Sequence, residues 1–81
     1  MALIRSVERG SRNVRPHRTA VDLTYQLLDD AAGRRLLHIA TYGSDDRQDI
    51  GTTSQSMQFD RDAAEALLRA IAEAFPGLSP R

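Results

Sequence analysis

The stretch TSQSMQFDRDAAEALLRAIAEAF, from Thr53 to Phe75, decides the fold because the spacing of its apolar residues changes at Asp60. Up to Phe59, apolar residues alternate with serine and glutamine, which is the period of a half-buried β-strand. From about Arg61 to Phe75, apolar residues recur at intervals of three and four, which predicts an amphipathic helix. The apolar stripe of this helix comprises Ala64, Leu67, Leu68, Ile71, Ala74 and Phe75.

Both ends of the predicted helix carry sequence signals. Asp60 or Asp62 is expected to cap the N-terminus, where a carboxylate accepts hydrogen bonds from free backbone N–H groups. Pro76 and Gly77 are expected to end the helix, because proline cannot continue it and glycine suits the left-handed conformation that often follows.

Two further strands precede this strand and helix. TAVDLTYQLL, from Thr19 to Leu28, alternates apolar and polar residues, and RRLLHIATYG, from Arg34 to Gly43, does the same. Gly33 lies in the turn between them and can adopt a positive φ. Because the connection is too short for a crossover, the two strands are predicted to form an antiparallel hairpin. A polar loop, Gly43 to Asp49, leads to the last strand.

This order of elements predicts an α+β fold. We expect a small antiparallel sheet of three to four strands with one C-terminal helix packed on one face. Residues 1–18 are interpreted as a basic N-terminal arm in which residues 2–7 form a short strand, residues 19–77 as a single β-β-β-α domain, and residues 78–81 as a tail. A homodimer is expected, because 81 residues without cysteine form a small core that no disulfide supports.

The helix is expected to cover one face of the sheet, which bears Val21, Leu23, Tyr25, Leu37, Ile39, Met57 and Phe59. The opposite face would carry Asp22, Thr24, Gln26, Leu36, His38, Ala40, Tyr42, Ser54, Ser56 and Gln58. Its polar side chains are almost free of charge, which leaves three interpretations open. The face is solvated, it packs against a second subunit or another protein, or it receives bases that stack on His38 and Tyr42.

Charge is unevenly distributed along the chain, although the net charge is zero. Residues 1–18 contain five arginines and one acid, whereas the remainder carries a net charge of about −4. A basic arm on a mildly acidic body suggests a polyanionic or acidic partner. The alternative is a solvated arm, or one that pairs with its own body or with a second subunit.

Composition argues against several classes of site. Without cysteine, and with His17 and His38 far apart, neither a disulfide nor a zinc site is expected. The chain has no Gly-x-Ser-x-Gly elbow and no Gly-rich phosphate loop, and the acids of Gly43 to Asp49 lack calcium-loop spacing. We therefore expect no enzymatic activity, no metal and no cofactor.

The sequence also gives expectations about location and source. It contains no signal peptide and no apolar run of about 20 residues, so we expect a cytoplasmic protein with no membrane partner. Arginine supplies every basic side chain, and the predicted helix is rich in alanine, a usage typical of GC-rich bacterial genomes.

The layout of hairpin, polar loop, serine-rich strand and acid-capped helix resembles the positive cofactor four family of single-strand-binding transcriptional coactivators, including its small bacterial members. The similarity spans about Thr19 to Phe75: LLHIATYG, which contains Tyr42, looks like the family's strand ending in an aromatic residue, and TSQSMQFDRDAAEALL looks like its strand–helix junction. This chain has Ala40 and Thr41 where the family has an arginine and an acid, and it lacks the basic residue and glycine that enter the family's last strand. The resemblance implies a curved antiparallel sheet, a helix-mediated homodimer and single-stranded nucleic acid on the sheet.

These observations lead to one hypothesis and two alternatives. We predict a non-enzymatic module that binds single-stranded DNA or RNA, as an accessory factor of transcription or DNA metabolism. The residues predicted to contact phosphates are Arg12, Arg15, Arg18, Arg34, Arg35 and Arg47, and those predicted to stack on bases are His38 and Tyr42. One alternative is a protein-interaction or inhibitor module, such as a bacterial or phage regulator acting through the neutral sheet face, which the zero net charge favours. The other is an accessory or structural subunit whose only role is to form a dimer.

Overall fold

A computed structural model of the chain describes residues 2–42 and 53–78 and, within them, four strands and a C-terminal helix. The elements are β1 (Ala2–Ile4), β2 (Leu23–Asp29), β3 (Arg35–Tyr42), β4 (Thr53–Phe59) and α1 (Arg61–Ala74). Arg47, the polar loop from Gly43 to Asp49 and residues 79–81 of the predicted tail lie outside the described residues.

The four strands form one sheet in the order β1-β4-β3-β2. β3 pairs antiparallel with β2 and with β4, whereas β1 pairs parallel with β4, with Ala2 opposite Met57 and Ile4 opposite Phe59. The α+β class is confirmed, but the prediction of an antiparallel sheet was wrong: the sheet is mixed. The parallel strand comes from the segment before the hairpin, and its pairing with a distant part of the chain has no local sequence signal.

The predicted hairpin forms around a tight, well-bonded turn. β2 and β3 pair in unbroken register from Leu23 opposite Thr41 to Asp29 opposite Arg35. The backbone N–H of Gly33 donates to the carbonyl oxygen of Asp30 at 2.9 Å, and Gly33 takes a φ of 82°. This left-handed conformation strains residues with a Cβ, so glycine stabilises the turn.

α1 begins and ends close to its predicted limits. Asp60 is its N-cap: Oδ1 accepts a hydrogen bond of 2.9 Å from the backbone N–H of Ala63. This bond satisfies one of the N–H groups that a helix leaves free in its first turn. Asp62 lies in that first turn, where its negative charge interacts favourably with the helix dipole. The C-cap is Phe75, directly before Pro76.

The small core differs from the predicted one. α1 lies against β3 and β4, and the most buried apolar residues of the described chain are Leu36, Ala40, Phe59 and Ala63. Leu36 and Ala40 share the face of His38, as the alternation predicted, but they are buried and not open to solvent. Phe59 lies on the opposite face and is buried too, so buried residues occur on both faces of the sheet.

Much of the predicted apolar face remains exposed. Val21, Leu23 and Tyr25 are exposed, so the helix does not cover the β2 side of the sheet as predicted. The predicted helix stripe was right only in part: Ala64 and Leu67 are half-buried, but Leu68, Ile71 and Phe75 are exposed. The buried residue of α1 is Ala63, which the stripe did not include. The helix and the sheet both keep apolar side chains in contact with water.

Candidate nucleic-acid interface

Three strands contribute polar side chains to one face of the sheet. The antiparallel register places His38 between Gln26 and Gln58, and Ala40 between Thr24 and Ser56. Residues directly opposite each other in an antiparallel pair share a face. We call this surface the polar face; its polar members are Thr24, Gln26, His38, Tyr42, Ser56 and Gln58.

Two hydrogen bonds across strands fix the aromatic rings of the polar face. Tyr42 Oη lies 3.3 Å from Thr24 Oγ1, and His38 Nδ1 lies 3.1 Å from Gln58 Nε2. The second bond requires the Gln58 amide to donate to an unprotonated Nδ1, which places the proton of a neutral imidazole on Nε2. Both rings are thus held in place by neighbouring strands.

Exposure varies across the polar face. Thr24 and Gln26, on the edge strand β2, are exposed. His38, Tyr42 and Gln58, on the two inner strands, are half-buried. The face is therefore neither sealed inside the protomer nor fully open, and its most accessible hydrogen-bonding groups lie on β2.

The hairpin arginines, Arg34 and Arg35, lie at the end of the sheet remote from Tyr42. Arg35 and Tyr42 are seven positions apart along an extended strand, which corresponds to about 23 Å. Arg35 also points to the face opposite His38, because side chains alternate along β3. The structure therefore does not bring the hairpin arginines together with the two rings, although sequence reasoning assigned them to one site.

Both hairpin arginines are paired with acids of the turn. Arg35 Nε donates to Asp29 Oδ1 at 3.0 Å, and Arg34 Nε lies 3.4 Å from Asp30 Oδ2. Asp30 Oδ1 also accepts hydrogen bonds of 2.9 Å from the backbone N–H groups of Arg34 and Ala32. The bond from the Arg34 backbone is the main cause that lowers the pKa of Asp30 below its usual value of 3.8. These acids offset much of the positive charge that the two arginines would offer a phosphate.

A groove of about 520 Å³ opens beside the hairpin arginines, between the start of β3 and the first turn of α1. It is lined by Arg34, Arg35, Leu37, Phe59, Asp60, Arg61, Asp62 and Ala64. Its charged lining residues are three arginines and two aspartates, so the groove has little net charge. Sequence reasoning missed it, because its walls come from two segments that are more than 20 residues apart.

The arm differs from the hairpin because most of its arginines have no acidic partner among the residues that the structure describes. Arg9 Nη1 donates to Glu73 Oε2 at 3.0 Å, which brings the arm to the last turn of α1. Arg12, Arg15 and Arg18 are exposed and form no ion pair within residues 2–42 and 53–78. The arm joins β1 to β2, which lie at opposite edges of the sheet, so it spans the whole width of the domain.

Two further properties of the described residues bear on the predictions. No helix in residues 2–42 and 53–78 is long and apolar enough to cross a membrane. In the same ranges, no group of three or more His, Cys, Asp or Glu side chains is placed to hold a metal ion.

Comparisons with known proteins add no support to the functional predictions, which rest on the residues alone. No family model, no curated protein and no solved structure matches this chain. The resemblance to the positive cofactor four family therefore stays a prediction that rests on the order of the strands, the loop and the helix.

Proposed function

We propose that this protein is a non-enzymatic module that binds single-stranded nucleic acid as a homodimer, in transcription or DNA metabolism in the bacterial cytoplasm. The observation that carries the proposal is the arm, in which Arg12, Arg15 and Arg18 are exposed and lack an acidic partner among the described residues. Unpaired guanidinium groups are well suited to phosphate oxygens, which they bind in a bidentate manner.

The spacing of the arm arginines fits a flexible polyanion. Arg9, Arg12, Arg15 and Arg18 recur at every third residue. Three residues of chain span at most about 10 Å, so successive guanidinium groups can reach separate phosphates of one strand. The phosphate contacts would supply affinity without reading the sequence of the bases.

The polar face would receive bases. His38 and Tyr42 offer rings, and their cross-strand hydrogen bonds reduce the entropy that is lost when a base stacks on them. Thr24 and Gln26 supply exposed hydrogen-bonding groups beside them. Both residues lie on β2, at whose N-terminal end the arm joins the sheet.

Fluorescence anisotropy with a labelled single-stranded oligonucleotide tests the proposal at about 50 mM and 200 mM salt. If three arm arginines release counterions, affinity for the wild-type chain should fall about 20-fold over this range. Replacing Arg12, Arg15 and Arg18 together by alanine should remove most of the binding and flatten the salt dependence. Arg69→Ala, which removes an exposed arginine of α1, is the control and should bind like the wild type. Absence of binding at 50 mM salt would contradict the proposal.

Stacking has its own test. Tyr42→Ala should weaken binding by about fivefold or more, since stacking a base on an aromatic ring is worth about 1–3 kcal/mol. Phe75→Ala removes an exposed aromatic ring at the end of α1, away from the polar face, and should leave affinity unchanged. Equal losses from both variants would remove the polar face from the proposed site.

A protein-interaction or inhibitor module is the second candidate. The net charge of zero favours it, because nucleic-acid-binding domains are usually basic overall, and so do the exposed Leu68, Ile71 and Phe75 of α1. A pull-down from bacterial lysate with and without nuclease separates the two candidates. A protein partner that survives nuclease treatment, together with no binding to oligonucleotides, would favour the second.

A further inference from the structure

β2 is an edge strand with an open hydrogen-bonding side. The sheet order ends at β2, which pairs with β3 alone among the described residues. Its seven residues, LTYQLLD, include no lysine, arginine or proline, and its register with β3 is unbroken. Natural proteins usually protect an edge with such residues or with a bulge, because an open edge pairs readily with another strand. β2 has none of these protections.

The same strand exposes a row of apolar side chains. Leu23, Tyr25 and Leu27 alternate along β2 and share one face of the sheet, and they are 55%, 69% and 60% exposed. Single exposed apolar residues are ordinary, but a contiguous row on an open strand indicates a surface that another protein covers.

The accessible surface of the chain is large enough to accommodate such an interface. A compact monomer of 9.0 kDa would expose about 4,900 Å², whereas this chain exposes 7748 Å². The extended arm contributes part of the excess of about 2,900 Å². A standard interface needs only about 800 Å² from each partner.

We propose that β2 pairs antiparallel with β2 of a second copy of this chain, about a two-fold axis at Gln26. This register pairs all seven residues: Tyr25 lies opposite Leu27 of the partner subunit, and Leu23 lies opposite Asp29 of the partner subunit. The pair joins two four-stranded sheets into one of eight strands and continues the polar face across both subunits. The interface specifies the homodimer of the proposed function and in that respect rests on it.

A second copy fits this edge because the strand is complementary to itself. A two-fold interface requires one patch to match its own image. In the Gln26 register no charged residue faces a like charge, since Asp29 is the only charged residue of β2. Aromatic and aliphatic residues face each other across the axis, and such cross-strand pairs stabilise sheets.

Charge variants of Gln26 test the interface and its register. Sedimentation equilibrium of the full chain without nucleic acid should show a dimer. Gln26→Lys and Gln26→Glu each place like charges opposite each other at the axis and should raise the dissociation constant at least about tenfold. An equimolar mixture of the two variants should restore the dimer, because the opposite charges then meet. Gln55→Lys introduces the same charge at an exposed glutamine of the inner strand β4 and should behave as wild type.

Three results would overturn the inference. The first is a wild-type chain that stays monomeric up to about 100 µM. Its dimer dissociation constant would then exceed about 100 µM, so the free energy of association would be weaker than about 5.5 kcal/mol. The second is a dimer that neither Gln26 variant weakens or that their mixture fails to restore. The third is a dimer that Leu68→Arg dissociates while Gln26→Lys does not, which would place the interface on α1. Oligonucleotide binding is measured separately, so a failed interface with intact binding removes the β2 dimer but leaves the proposed binding of single-stranded nucleic acid standing.

Discussion

β2 and β3 are neighbours in one hairpin, yet they differ in burial along their whole length. Every residue of β2 is exposed, whereas β3 contains two buried residues, Leu36 and Ala40, and five half-buried ones. The two strands have similar alternating patterns, so the difference arises from position: β3 lies between two strands and against α1, and β2 lies at the edge.

This difference shows that pairing and packing stabilise separate parts of the sheet. β2 is fixed by backbone hydrogen bonds and the turn, while β3 and β4 also bury apolar surface. Burial contributes about 25 cal/mol per Å², so substitutions on β3 and β4 should cost far more stability than those on β2.

The largest loss of stability is expected from Phe59→Ala, which is compared with Tyr25→Ala on the same face of the sheet. Phe59 is 5% exposed and Tyr25 is 69% exposed. Phe59→Ala should lower the free energy of unfolding by about 3–5 kcal/mol, because it leaves a cavity beside Leu37. Tyr25→Ala should cost less than about 1 kcal/mol in the monomer. Urea unfolding at low protein concentration measures both; similar losses would break the contrast between edge and centre.

A smaller effect is expected at the junction that fixes α1 beside β4. Asp60→Ala removes the acceptor for the Ala63 N–H and should cost about 1 kcal/mol of stability. Asp62→Ala removes an acid from the same helical turn but not the cap, and should cost about half as much or less. Thermal unfolding compares the two, and equal losses would show that charge rather than the cap bond matters.

The smallest effect concerns the turn that connects β2 and β3. The Arg34 and Ala32 backbone N–H groups and the Arg34 side chain lower the pKa of Asp30 in the folded chain. A carboxyl group whose pKa is lower in the folded than in the unfolded chain stabilises the fold at pH values above its unfolded pKa. This stabilisation is lost as the pH falls through the folded pKa. Asp30→Asn should therefore be less stable than wild type near about pH 6, and the difference should vanish towards about pH 2.

Asp22→Asn is the control for the turn, because Asp22 is exposed and accepts no side-chain hydrogen bond from the described residues. Its difference from wild type should not follow the pH dependence of Asp30→Asn. Denaturant midpoints measured across the pH range give the comparison. A pH-independent difference for Asp30→Asn would contradict the role given to its carboxylate.

Local signals in the sequence predicted local structure well. The turn at Gly33, the cap at Asp60 and the limits of α1 follow from nearby residues, and the structure confirms them. The parallel pairing of β1 could not be predicted, because its partner lies more than 50 residues away and no short-range pattern encodes it. The burial of Ala63 was also missed, because the predicted apolar stripe of α1 did not include it.

The candidate site was predicted in part. Alternation correctly placed His38, Gln26 and Gln58 on one face, and it also puts Arg35 on the other, but the predicted site grouped Arg35 with the rings because of its charge. The sequence could not show that Asp29 and Asp30 pair with the hairpin arginines. Charge counted along the chain treats all arginines alike, whereas the structure separates the paired arginines from those of the arm that have no acidic partner among the described residues.

The parallel pairing of β1 with β4 has a consequence for synthesis of the chain. Residues 2–4 are synthesised well before their partners, Met57 to Phe59. The hairpin can close early because its contacts are local, while β1 must wait until β4 has been made. The nascent chain therefore carries β1 unpaired until β4 emerges, and docking of β1 should follow closure of the hairpin.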